Sequence, residues 1–134
     1  MLGEAQAAQE GGQSVKFGPL GALRDFVDAR DVARAALHTL PGEPGDGLRG
    51  TVNVGSGEAR PVRDLVTELT RLTGFGGVVH EDAPGSPRSG DVPYQRADVS
   101  RLTASGFQPH FTFTDSLQAL LASPTTVSLP QKEF

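Results

Sequence analysis

The chain has 134 residues, a formal net charge of −4 from 12 Lys and Arg against 16 Asp and Glu, and no cysteine. This length allows one domain with a modest core, and the negative charge excludes a general attraction to nucleic acid or to an acidic membrane surface. The lack of cysteine excludes disulfides and thiolate metal sites and is typical of a cytoplasmic protein. No apolar run in the sequence approaches the length needed to span a membrane.

The first predicted elements are a short helix or arm and a strand. Residues 1–13 contain an Ala/Gln/Glu-rich stretch that Gly11-Gly12 ends, and residues 14–17 have the composition of a strand. Gly18-Pro19 then signals a turn before the next element.

Residues 23–37 predict a strand that runs directly into a helix. Phe26-Val27 has strand propensity, and Asp28 and Asp31 lie where acidic groups favour a helix N-terminus. Pro41-Gly42 is predicted to stop this helix. Its apolar residues recur at helical spacing and are predicted to form one core-facing side, made of Val32, Ala36, Leu37 and Leu40.

A second strand and helix follow a Gly/Pro/Asp-rich loop at residues 42–50. Thr51–Val54 is predicted as a buried strand and Gly55-Ser56-Gly57 as a tight turn. The next helix begins near Pro61 and ends at Gly74. It carries the clearest apolar stripe in the chain, made of Val62, Leu65, Val66, Leu69 and Leu72.

The last third of the chain alternates short strands, turns and helices. Residues 78–81 and 94–98 are predicted as strands, and residues 100–105 as a helical turn that Gly106 closes. Thr114 is predicted to cap a last helix, whose inward residues are Leu117, Leu120 and Leu121.

These elements predict a small mixed α/β domain of short strands and three to four helices at residues 14–122. An N-terminal helix or arm at residues 1–13 precedes it, and a polar, flexible tail at residues 123–134 follows it.

Sequence motifs for cofactors, metals and nucleophilic catalysis are absent. Gly55-Ser56-Gly57 follows a predicted strand, but the dinucleotide fingerprint needs a third glycine where Arg60 stands. No lysine lies in a Walker motif, no serine lies in G-x-S-x-G, and His80-Glu81-Asp82 matches no zinc spacing. We therefore predict no catalytic, cofactor or metal site in this chain.

Two arginines are candidates for an anion site. Arg24 begins a strand beside an apolar run, and Arg88 lies in a turn-rich loop. Two guanidiniums held on such elements can bind a diphosphate bidentately. The alternative is that each arginine pairs with Asp25, Asp91 or solvent, and residue chemistry alone favours this alternative.

Tyr94, the single tyrosine, is a poor acid/base candidate. The partner of a catalytic tyrosine one helical turn away is a cation that lowers the phenol pKa, but here that position is Asp98. We therefore interpret Tyr94 as a structural residue or a ligand contact.

Four blocks in order carry a family resemblance. They are Arg24–Ala35, Val52–Gly57 with Pro61–Val66, Arg88–Pro93 with Ala97–Leu102, and Gly106–Pro109 with Thr114–Leu121. Together they resemble the C-terminal portion of the extended short-chain dehydrogenases/reductases, the NAD-dependent epimerase/dehydratase family. The Asp28-x-Arg30-Asp31 variant is most similar to the branch of GDP-mannose 4,6-dehydratase and GDP-4-keto-6-deoxymannose reductase.

The resemblance implies a nucleotide-sugar substrate and a division of labour between two domains. It implies that Arg24 and Arg88 contact the nucleotide diphosphate and that Phe26 and Asp91 also bind substrate. Family members bind NAD(P) on an N-terminal Rossmann domain and use a Tyr-x-x-x-Lys pair as acid/base. This sequence contains neither the glycine-rich loop nor that pair, so we expect no NAD(P) bound by this chain and no catalysis by it alone.

Two hypotheses of function follow. In the first, the chain is the nucleotide-sugar-binding C-terminal part of an epimerase/dehydratase-like protein, with a Rossmann domain or a second copy as partner. In the second, it is a stand-alone, non-catalytic accessory or interaction protein that keeps the scaffold. The surface left exposed would then be apolar and would need a partner or self-association.

Overall fold

A computed structural model describes residues 12–82, 84 and 92–123. The predicted N-terminal helix and all but the first residue of the predicted tail lie outside these residues. The elements in chain order are β1 (Ser14–Lys16), β2 (Leu23–Arg24), α1 (Ala29–His38), β3 (Arg60–Pro61), α2 (Val62–Thr73), β4 (Val78–His80), α3 (Ser100–Ala104) and α4 (Phe113–Ala122). The predicted small mixed α/β fold is confirmed, with four helices in the described part of the chain.

Two short ladders join distant parts of the chain. β1 pairs in parallel with β4, and β2 pairs antiparallel with β3, so that Leu23 is opposite Pro61 and Arg24 is opposite Arg60. A single bridge places Tyr94 on the other side of Leu23, where the Gln95 N–H donates to the Leu23 carbonyl at 3.0 Å. These three segments form the platform beside which the candidate site lies.

Two predicted strands are wrong as strands. Residues 51–54 and residues 95–98 belong to no ladder among the described residues. Val52 and Val54 nevertheless pack against the core, which is why the β-branched alternation of this segment reads as a strand. Strand assignment requires a paired backbone, and composition reports only burial on alternate sides.

Helix α1 begins as predicted but buries a different face. Asp28 is its N-cap and accepts the Arg30 N–H at 2.8 Å, and the helix ends at His38 rather than at the proline. The buried residues are Asp31 and Ala35, and Ala35 packs against Leu102 and Phe107 in the core. The predicted inward side is solvent-exposed, since the exposed fractions are 42% for Val32, 61% for Leu37 and 49% for Leu40, and Ala36 is exposed too.

Helix α2 has the predicted apolar stripe and the predicted end. Val66 is buried and the other stripe residues are half-buried. Gly74 follows the helix with a φ of 68°, the left-handed conformation that terminates helices. Pro61 is the N-cap and forms no side-chain cap.

Helix α4 starts two residues earlier than its predicted cap implies. Thr112, not Thr114, is the N-cap, and it forms a capping box with Asp115. Leu117 is buried as predicted, but Leu120 and Leu121 are 61% and 46% exposed because the described residues leave the last turn of α4 uncovered. Glu68 of α2 accepts the Thr114 hydroxyl at 2.8 Å and so ties the two helices together.

The last core elements agree with the sequence. α3 spans Ser100–Ala104 and is closed by Gly106, whose φ is 92°. None of the described helices combines the length and the apolar character needed to cross a bilayer.

Candidate functional site

The turn at Gly55-Ser56-Gly57 binds a carboxylate of the same chain. The Asp25 carboxylate accepts the Ser56 N–H and the Ser56 hydroxyl, both at 2.7 Å, and the Gly57 N–H at 3.0 Å. A fourth donor, the Ala97 N–H, lies at 3.1 Å. The predicted structural turn is therefore also a backbone anion cradle, and Asp25 fills it. We call Asp25 and these donors the Asp25 clamp.

The Asp25 clamp has no spare room and keeps its carboxylate ionised. Burial raises the pKa of Asp25, but the hydrogen bonds from Ser56, Ala97 and Gly57 together outweigh it, and the net pKa lies below the ordinary value. A Cβ on Gly55 would lie 2.6 Å from the Ala97 Cβ and 2.9 Å from an Asp25 oxygen. The clamp therefore fixes the backbone of the strand that carries Arg24.

Arg24 has no carboxylate partner among the residues that the structure describes. Its Nη1 donates to the Leu23 carbonyl at 2.8 Å, and its side chain is half-buried. The alternative pairing with Asp25 does not form, because that carboxylate is occupied in the clamp. Its cross-strand neighbour is a second cation, Arg60.

Phe26 lies in an aromatic groove of about 1190 Å³ between the N-terminal end of α1, the loop before β3 and α4. Its ring centroid is 5.5 Å from that of Phe113 at 53°, a tilted aromatic pair. The Arg60 guanidinium carbon lies 5.3 Å from the Phe113 centroid. Aromatic surface next to a cation suits a planar, anionic ligand.

The far end of the groove is stabilised by a second ionic cluster. Asp28 accepts two hydrogen bonds from the Arg30 guanidinium and one from the Ser116 hydroxyl at 2.7 Å. The Arg30 bonds, with Ser116, hold the Asp28 pKa far below its ordinary value despite burial. Arg30 also lies 3.6 Å from the Phe111 centroid. This cluster joins the start of α1 to α4.

The sequence candidates are divided by the structure. Arg24 and Phe26 lie on one segment, one beside the platform and the other in the aromatic groove, whereas Arg88 and Asp91 lie outside the described residues. Tyr94 is 54% exposed and lines a neighbouring depression of about 570 Å³ with Arg60 and Arg96. Arg60, which we noted only as a missing glycine, is the residue shared by both cavities.

The motif His80-Glu81-Asp82 has a structural use in part. Glu81 accepts the Leu20 N–H at 2.7 Å and pairs with Arg63, which connects the turn before β2 to α2. In the described part of the chain, no three metal-ligating side chains converge.

No family model matches the chain. Putative GDP-L-fucose synthase 2 of Oryza sativa subsp. japonica is 32% identical over 109 residues, which are 81% of this chain and 30% of that protein. GDP-6-deoxy-D-mannose reductase of Pseudomonas aeruginosa is 30% identical over 110 residues, 81% of this chain and 34% of that protein. The chain thus spans about a third of the length of these relatives.

Solved structures agree with the sequence matches. RMD from Pseudomonas aeruginosa, complexed with NADPH, matches 88% of this chain and 38% of its own length at a TM-score of 0.65 and 25% identity. UDP-glucose 4-epimerase of Thermotoga maritima, with UDP-glucose, matches 80% of this chain and 32% of its own at 0.59 and 26%. The predicted resemblance is confirmed, and in sequence and fold this chain matches the C-terminal portion of the extended short-chain dehydrogenases/reductases, the NAD-dependent epimerase/dehydratase family.

Proposed function

We propose that this chain is the nucleotide-sugar-binding C-terminal portion of an NAD-dependent epimerase/dehydratase-like protein and is not catalytic by itself. Its relatives are named for reactions of GDP-sugars, and a similar structure holds UDP-glucose. Residues 14–122 form the binding domain in this proposal, between an arm at residues 1–13 and a tail at residues 123–134. The cysteine-free composition supports a cytoplasmic location.

One observation carries the proposal. Arg24 has no carboxylate partner among the described residues, and the Asp25 clamp fixes it beside the groove that contains Phe26. A half-buried guanidinium without an acidic partner is suited to bind an anion that arrives with the ligand. Arg88 is the second diphosphate contact in this proposal, and Asp91 is a further substrate contact.

Catalysis requires parts that the proposal assigns elsewhere. A nicotinamide and an acid/base must both lie within contact distance of the sugar carbon that reacts. The sequence has neither a complete glycine-rich fingerprint nor a Tyr-x-x-x-Lys pair, and the cradle at Ser56 already holds Asp25. A Rossmann domain on a partner polypeptide is therefore the source of NAD(P) in this proposal.

Calorimetric titration of the full chain with GDP-, UDP- and dTDP-sugars tests the proposal. We expect one of these ligands to bind, with a loss of affinity of about tenfold or more in both Arg24→Ala and Arg88→Ala. Arg49→Ala is the control, because Arg49 lies in the exposed loop at residues 42–50 and contacts only local carbonyls. The absence of binding, or equal affinity in all variants, would refute the proposal.

A stand-alone interaction protein is the second candidate, and one observation favours it. The outward side of α1 presents Val32, Leu37 and Leu40, and the end of α4 presents Leu120 and Leu121, all at least 42% exposed. Such surfaces on a small domain favour association. Light scattering separates the candidates, because an accessory protein should self-associate and Leu37→Glu should reduce that mass. A monomer of unchanged mass in both proteins would contradict this candidate.

A further inference from the structure

We infer that Arg60 is the second cation of the anion site at Arg24, so that the two guanidiniums together bind a diphosphate group. This inference deepens the proposed function and rests on it for the identity of the ligand. It adds a residue that the family resemblance does not single out.

The register of the β2–β3 ladder places the two arginines side by side. Arg24 and Arg60 are direct partners in an antiparallel pair, so their side chains leave the same face of the ladder. Partners of this kind have Cα atoms about 4.5–5.5 Å apart. Like charges directly opposite one another repel, and a bound anion between them removes that repulsion.

Internal carboxylates do not neutralise this pair. Arg24 bonds only to a backbone carbonyl among the described residues, and Asp25 is held in its clamp. Arg60 pairs with Glu58 at 2.9 Å, but the side chains of both are solvent-exposed, at 43% and 66%. An exposed pair of this kind is weak and exchanges readily for a stronger anion. Nearby Arg63, by contrast, is paired with Glu81.

The surroundings of Arg60 match a nucleoside diphosphate. Its guanidinium lies against Phe113, and Phe113 contacts Phe26 in the aromatic groove. A diphosphate can accept bidentate bonds from two planar guanidiniums, while the aromatic rings offer a surface for a flat base. Arg60 therefore links the anion site at Arg24 to the groove.

The test is calorimetric titration of the full chain with GDP, UDP, inorganic pyrophosphate and guanosine. We expect GDP or UDP, and pyrophosphate, to bind, and Arg60→Ala to weaken both classes about tenfold or more. Arg60→Lys should recover only part of the loss because the bidentate fork is missing. Glu58→Gln should tighten binding by about two- to threefold, since it frees Arg60. Arg49→Ala should bind like wild type.

The outcomes separate this inference from the proposed function. If Arg60→Ala binds like wild type while Arg24→Ala is weakened, the role of Arg60 is refuted and the proposed function stands. If pyrophosphate binding depends on Arg60 but no nucleotide sugar binds, the anion site stands and the proposed function is refuted. If wild type binds no phosphate ligand, both are refuted. Circular dichroism of each variant checks that a loss of binding is not a loss of folding.

Discussion

Asp25 and Ser56, 31 positions apart in sequence, are joined by two hydrogen bonds of 2.7 Å, one from the backbone N–H and one from the hydroxyl of Ser56. Asp25 directly follows Arg24, and Ser56 belongs to the turn that leads to Arg60. The Asp25 clamp therefore ties together the two segments that carry the arginines of the candidate site, and rigid support of this kind holds binding residues in position.

Removal of the Asp25 carboxylate should cost stability and ligand affinity together. Asp25→Ala leaves the amides of Ser56, Gly57 and Ala97 without their acceptor, so we expect a loss of about 2–3 kcal/mol in the free energy of unfolding. Urea denaturation measures it. Asp46→Ala is the matched control, because Asp46 is exposed and accepts only the Gly42 N–H at 3.2 Å. Equal losses in the two variants would contradict the clamp.

Asp31 should be more important than its surface partner. Its carboxylate is 2% exposed and accepts the N–H groups of His110 and Phe111 at 2.9–3.0 Å, besides the Arg34 guanidinium. Burial raises the Asp31 pKa, but these bonds outweigh it and leave the pKa below its ordinary value. We expect Asp31→Ala to cost about 3 kcal/mol and to accelerate hydrogen exchange at both amides.

Arg34→Ala provides the comparison for Asp31. The Arg34 side chain is 43% exposed, and its removal leaves the two backbone donors on the carboxylate, so we expect a loss of about 1 kcal/mol or less. If both variants lost the same stability, the ion pair rather than the amide bonds would be the main contribution of Asp31.

Acid should weaken the contact between α2 and α4. Hydrogen bonds from Arg71, and then from Thr114, lower the pKa of Glu68 from 4.5 to about 2. Because the folded-state pKa is the lower one, this contribution to stability is complete above pH 4.5 and disappears as the pH falls towards 2.

The melting temperature as a function of pH measures this contribution. We expect Glu68→Gln to have a shallower fall in melting temperature between pH 4.5 and 2 than wild type, with Thr114→Val in between because one donor remains. A Glu68→Gln curve parallel to that of wild type through this window would show that the pair does not contribute.

The N-cap of α4 can be identified by mutation. Thr112→Ala removes the capping box with Asp115, and we expect it to cost about 1 kcal/mol at neutral pH. Thr114→Ala removes only the bond to Glu68 and should cost less. Thermal unfolding followed by circular dichroism compares the two, and a larger effect at Thr114 would restore the cap predicted from the sequence.

Local patterns were sufficient where one neighbour decides the outcome. The stripe from Val62 to Leu72 and the end at Gly74 predict α2 correctly, because that helix packs on one side. In α1 the same reasoning selected the wrong side. Asp31 and Ala35 are the buried residues, since a carboxylate with backbone donors and a small side chain fit close to the core. Hydrophobicity alone does not report such tertiary partners.

The candidate site was predicted in outline and not in its contacts. Arg24 and Phe26 were selected, but the occupation of the cradle by Asp25 requires the pairing of segments 31 residues apart. Arg60 could be found only from the β2–β3 register, because a two-residue strand has no periodicity to recognise.

Each ladder joins a strand that precedes the loop at residues 42–50 to a strand that follows it. A chain cut within that exposed loop therefore has both pairings available between its two pieces, along with the Asp25 clamp. The same geometry makes the loop suitable for the insertion of a tag or for the production of the protein as two complementing fragments.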